Sequence, residues 1–71
     1  MEWRVTFYIG EAGDKAVIEA EDPDVRDTLT SLIKDLGGDE VSFRRFMAED
    51  PDIRERLRIT QCGRRVVYEY K

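Results

Sequence analysis

The chain contains no histidine and no asparagine, a single cysteine (Cys62), a single glutamine (Gln61) and two prolines. Without histidine it lacks the commonest general base and metal ligand, together with the Ser-His and Cys-His nucleophile pairs. One cysteine excludes an intrachain disulfide and argues against a cross-linked secreted scaffold. No stretch approaches the roughly 20 apolar residues of a membrane helix. The N-terminus alternates polar and apolar residues instead of forming the apolar block of a signal peptide. These absences point to a soluble, cytoplasmic, monomeric protein with no membrane partner. Seventy-one residues suffice for one domain, 1–71, near the lower limit for a core that holds without staples.

What the chain has instead is charge, at 39% of its residues. Scarce Asn, Gln, His and Cys beside abundant charge suits a thermophile, a high-GC genome or a computationally designed sequence. The net charge of −4 is unevenly placed: residues 1–36 carry four basic and nine acidic side chains, residues 37–71 eight and seven. All but two of the arginines lie in the second half. An acidic chain is a poor non-specific ligand for nucleic acid, although a local arginine cluster still has phosphate chemistry available to it.

A near-repeat fixes two chain reversals. Ala20-Glu21-Asp22-Pro23-Asp24-Val25-Arg26 returns as Ala48-Glu49-Asp50-Pro51-Asp52-Ile53-Arg54. Each copy spells a helix start, with Asp as the cap, Pro at the first helical position and a second Asp in the first turn. The same capping role accounts for the acidic clusters, which lack the oxygen spacing of a calcium loop. No metal and no cofactor is expected.

The rest of the chain reads as strands and helices in the order ββααββ. Trp3, Val5, Phe7 and Ile9 alternate with polar residues on a first strand, and Ala16, Ile18 and Ala20 continue on a second. A four-residue loop, Gly10–Gly13, sets Phe7 opposite Ala16, Val5 opposite Ile18, Trp3 opposite Ala20 and Arg4 opposite Glu19. From Pro23 the period turns helical, with Val25, Leu29, Leu32, Ile33 and Leu36 on one face and Gly37-Gly38 as the stop. Ser42 is expected to cap a second helix, with Val41 and Phe46 as its hydrophobic staple and Phe43, Phe46 and Met47 as its core contacts. A short turn or helix follows Pro51. A last hairpin about a Cys62-Gly63 turn sets Leu57 opposite Tyr68, Ile59 opposite Val66 and Arg56 opposite Glu69. The fold class is therefore α+β, an antiparallel sheet of two hairpins with helices packed on one face. Its expected core is Trp3, Val5, Phe7, Ile18, Leu29, Leu32, Ile33, Phe46, Leu57, Ile59 and Val66.

One group of side chains invites a functional reading. In the expected register Arg56, Arg58 and Arg65 share one face of the last hairpin, with Arg54 and Arg64 at its ends. Phosphate recognition needs planar donor forks on a rigid element, which such arginines supply. The competing reading is a solvated sheet face on which Arg56 pairs with Glu69.

The segment Leu57-Arg58-Ile59-Thr60-Gln61-Cys62-Gly63-Arg64-Arg65-Val66-Val67-Tyr68 resembles the central hairpin of the RelE/HigB-type toxins, which are ribosome-associated mRNA endonucleases of compact α+β fold. Arg65-Val66-Val67-Tyr68 is similar to their second-strand pattern, and the resemblance gives Arg56 and Arg58 the place of basic residues implicated in RNA cleavage. The chain departs from those toxins in being acidic, in building a strand over Lys15–Ala20 where they build helix, and in stopping at Lys71 before their last strand. Kinship would imply a truncated or inactive form.

Two function classes thus stand beside each other. The leading expectation is a non-catalytic, self-standing domain, either a designed scaffold or a small protein-binding module with Tyr8, Val17 and Tyr70 on its binding patch. The alternative is an RNA-acting toxin relative using the arginine face. A third, an acidic phage-type inhibitor that imitates nucleic acid, is disfavoured because a charge of −5 over residues 1–36 is mild.

Overall fold

Strands β1 (Trp3–Tyr8) and β2 (Lys15–Ala20) pair in the register that the alternation dictates, with Trp3 opposite Ala20 and Phe7 opposite Ala16. The computed structural model describes residues 2–71. Helices α1 (Pro23–Asp35), α2 (Glu40–Ala48) and α3 (Pro51–Arg56) follow, and strands β3 (Leu57–Cys62) and β4 (Arg65–Tyr70) close the chain. The four strands form one open antiparallel sheet in the order β2-β1-β4-β3. The fold is α+β, with the chain's first and last strands at its centre.

Both copies of the repeat do cap helices. The Asp22 carboxylate accepts from the Asp24 backbone N–H at 2.8 Å, and Asp50 accepts from Asp52 at 3.0 Å and Ile53 at 3.3 Å. Helix α1 ends in a Schellman arrangement: Gly38 N–H bonds the Ile33 carbonyl at 2.8 Å and Gly37 N–H that of Lys34 at 3.0 Å. Gly37 sits at φ +91°, where a Cβ would be strained.

Helix α2 starts earlier than its sequence suggests. Its cap is Asp39, whose carboxylate accepts from the Ser42 N–H at 3.0 Å and the Ser42 hydroxyl at 2.8 Å. Ser42 is therefore the third residue of the helix. These hydrogen bonds hold the Asp39 carboxyl below its ordinary pKa. A second carboxylate, Asp14 from the β1–β2 loop, accepts from the Glu40 N–H at 2.9 Å and ties that loop to the helix start.

Two of the three expected core contacts of α2 form. Phe43, fully buried, and Met47 face the sheet, whereas Phe46 is 43% exposed and Val41 also faces out, so no Val41–Phe46 staple forms. The core is Val5, Phe7, Val66 and Tyr68 from the central strands with Leu29 and Ile33 of α1 and Phe43 and Met47 of α2. Trp3, Ile18, Leu32 and Leu57 pack around it. Ile59, expected inside, is 40% exposed on the edge strand β3.

The last hairpin is displaced by two residues from the expected register. Leu57 lies opposite Tyr70, Ile59 opposite Tyr68 and Cys62 opposite Arg65, so the turn is Gly63-Arg64. Gly63 has φ +60° and Arg64 does not share the positive φ, the pattern of a II′ turn with glycine first. An even displacement leaves every side chain on the side that alternation assigns.

Candidate functional site: the open face of the sheet

All three helices pack on one side of the sheet, and among the described residues no element covers the other side. The alternation places Arg4, Thr6 and Tyr8 of β1 on that outer side, with Lys15, Val17 and Glu19 of β2. Strand β4 adds Arg65, Val67 and Glu69, and β3 adds Arg58, Thr60 and Cys62.

The pairing registers align these residues into three rows across the strands. One row reads Glu19, Arg4, Glu69, Arg58, the middle row Val17, Thr6, Val67, Thr60, and the third Lys15, Tyr8, Arg65, Cys62. The middle row is β-branched throughout. Thr6 is only 7% exposed although nothing lies above it, because its neighbours on all sides enclose it. Tyr8 and Val17 are 46% and 39% exposed. Within the charged row Arg4 donates to Glu69 at 3.1 Å. The face carries four cations and two carboxylates, a net +2 on a chain of −4, so the remainder carries −6.

The three candidate arginines do not form one cluster. Arg58 stands in the charged row beside Glu69 and Arg65 in the row of Tyr8, four residues further along the strands, or about 13 Å. Arg56 is not on the strand at all, because it is the last residue of α3. Its guanidinium lies over the Tyr70 ring at 4.9 Å from the centroid, and its Nε donates to the Lys71 carbonyl at 2.6 Å. Tyr70 in turn stacks on Trp3, the rings 5.4 Å apart and 7° from parallel. Arg56 thus clamps the end of the central strand, and Glu69, its expected partner, belongs to Arg4.

A second polar constellation was not legible as a site. The carboxylate of Glu40, buried at the start of α2, accepts from the Tyr68 hydroxyl and from Arg44 Nε at 2.8 Å. Burial, then the hydrogen bond to Glu40, pushes the Tyr68 phenol above its ordinary pKa. The bond to Glu40 likewise raises the Arg44 guanidinium. Among the described residues no buried side-chain polar atom lacks a partner, and this network is closed upon itself. It braces α2 against β4. The signal for it was Glu40 standing three and seven residues before Phe43 and Met47, on the apolar stripe of its helix.

Among the described residues no three His, Cys, Asp or Glu side chains gather as a metal site, and no helix is long and apolar enough to cross a membrane. Cys62 is an exposed free thiol opposite Arg65. Comparison with family models, with curated proteins and with solved structures returns no match.

Proposed function

We propose that the chain is a non-catalytic protein-binding domain that works in the cytoplasm through the open face of its sheet. One observation carries this reading: a sheet face with a β-branched middle row, flanked by alternating charge, is covered by no element among the described residues. An apolar centre with a polar rim is the anatomy of a protein interface. The face also carries Arg58 and Arg65, which keeps RNA binding by a toxin relative as the second reading. Against it stand the dispersal of the arginines, the two interleaved carboxylates and the engagement of Arg56 with Tyr70.

The test compares wild type with Val17→Asp on the open face and Phe46→Asp on the helical face. Association of the chain with protein, its own or another, should be lost in the first variant and kept in the second, with the circular dichroism of both unchanged. Loss in Phe46→Asp alone would transfer the function to the helical face. Ribosome-dependent mRNA cleavage and growth arrest on expression would select the toxin reading.

A further inference from the structure

The charged row of the open face reads Glu19, Arg4, Glu69, Arg58 from β2 to β3, which is −, +, −, +. Read in the opposite direction it is +, −, +, −. The row is therefore complementary to its own reversal. A two-fold axis running along the strands through the β1–β4 seam performs that reversal, laying β2 over the β3 of a second copy and β1 over its β4. Glu19 then meets Arg58 of the second copy and Arg4 meets its Glu69, so all four contacts join opposite charges.

The other rows obey the same axis. Val17 meets Thr60 and Thr6 meets Val67, keeping the middle dry, while Tyr8 receives Arg65 over its ring. Within one molecule only Arg4 and Glu69 of the charged row are paired; Glu19 and Arg58 form no ion pair among the described residues. Those two are the residues that the axis brings together. Two cations per copy stay unpaired by carboxylate: Arg65, which lies over Tyr8, and Lys15, which lies on an edge strand where solvent screens it.

We infer that the occupant of the open face is a second copy of this chain, docked sheet to sheet about that axis. The inference rests on the reading of this face as a protein-binding surface. Isologous pairing of this kind is the commonest oligomeric symmetry, and facing sheets with roughly aligned strands are a standard packing. Four strands of six residues span about 19 by 20 Å, or about 400 Å² per copy in projection. Two such faces total about 800 Å², short of the ~1,000 Å² of a stable specific interface and in the range of weak, transient ones. The dimer is accordingly weak, concentration-dependent and sensitive to salt.

Sedimentation equilibrium of the full chain should show the mass rising from 8.3 kDa toward twice that value with concentration. Arg58→Glu and Glu19→Arg each set two like-charge contacts across the axis and should weaken the dimer about tenfold or more, with the fold unchanged by circular dichroism. An equimolar mixture of the two variants restores opposite charges at both contacts and should dimerise as well as wild type. A chain that stays monomeric at every concentration, or a mixture no tighter than its components, overturns the inference. If such a monomer still binds another protein, and Val17→Asp abolishes that binding, the open face remains a protein-binding surface and only the second copy is excluded. Salt-steep RNA binding by the monomer, lost on Arg58→Ala, would overturn both readings.

Discussion

The Tyr68 hydroxyl donates to the Glu40 carboxylate within the core, joining the central strand β4 to the first turn of α2. Arg44, one turn on, holds the same carboxylate and brings its guanidinium to 6.0 Å from the Tyr68 ring centroid. Tyr68→Phe keeps the packing and removes one donor from a carboxylate that retains Arg44, so it should cost about 1–3 kcal/mol. Glu40→Ala strands the phenol in an apolar site, and Tyr68→Phe on that background should then be nearly neutral or favourable. Urea unfolding of the four proteins in this cycle measures the coupling. Independent, additive losses would show that the two groups do not act together.

The same phenol makes stability depend on alkaline pH. Burial raises its folded pKa above the unfolded value of about 10. The folded state therefore keeps a proton that the unfolded chain gives up. Its contribution is fully present below about pH 10 and is lost as pH climbs from there toward the raised folded pKa. Denaturant midpoints measured between about pH 8 and 11.5 should fall above pH 10 in wild type and fall less in Tyr68→Phe. Equal slopes in the two proteins would remove Tyr68 as the cause.

Phe43 and Phe46, three residues apart, should behave oppositely. Phe43 is fully buried, its ring centroid 5.3 Å from that of Phe7 and 4.9 Å from that of Tyr68. Phe43→Ala should cost about 3–5 kcal/mol, enough to unfold a domain this small. Phe46→Ala, at an exposed position, should change stability by about 0.5 kcal/mol or less. Thermal melts of both variants decide the orientation of α2.

Arg56 and Arg58 separate in the same manner. Arg56→Ala loses the Tyr70 ring contact and the bond to the Lys71 carbonyl, an expected cost of about 0.5–1.5 kcal/mol. It should also alter the fluorescence of Trp3, which stacks on Tyr70. Arg58→Ala should leave both stability and fluorescence within error, since its charge acts on the open face. A larger loss from Arg58→Ala than from Arg56→Ala would reverse these assignments.

The first hairpin was readable in full, because strict alternation on both strands and a four-residue loop admit one register. The repeat gave α1 and α3 their starts for the same reason, as an Asp-Pro-Asp run has one inexpensive conformation. In the last hairpin, glycine fits either place in a two-residue turn, and only the pairing of Cys62 with Arg65 assigns it to Gly63-Arg64. In helix α2 the sequence shows Phe43 and Met47 as core contacts, but it does not settle the start, because Asp39 and Ser42 are both good caps, nor does it exclude Phe46, which lies next to that apolar stripe. Of the candidate site, the outward direction of Arg58 and Arg65 was legible from period two alone. The fate of Arg56 was not, since it depends on α3 running directly into β3 without a loop. The row structure of the open face required the strand order, which no local pattern contains.

Placing β1 beside β4 also determines how the molecule meets force. Trp3 and Tyr70 face each other at one end of that central ladder, so tension applied at those two residues opens the sheet rung by rung. A load in shear would strain all rungs together; this geometry loads one at a time, and the domain yields as a zipper. The Trp3–Tyr70 stack and the Arg56 clamp stand at the tooth where that zipper must begin. They are therefore the contacts that set the force at which it opens.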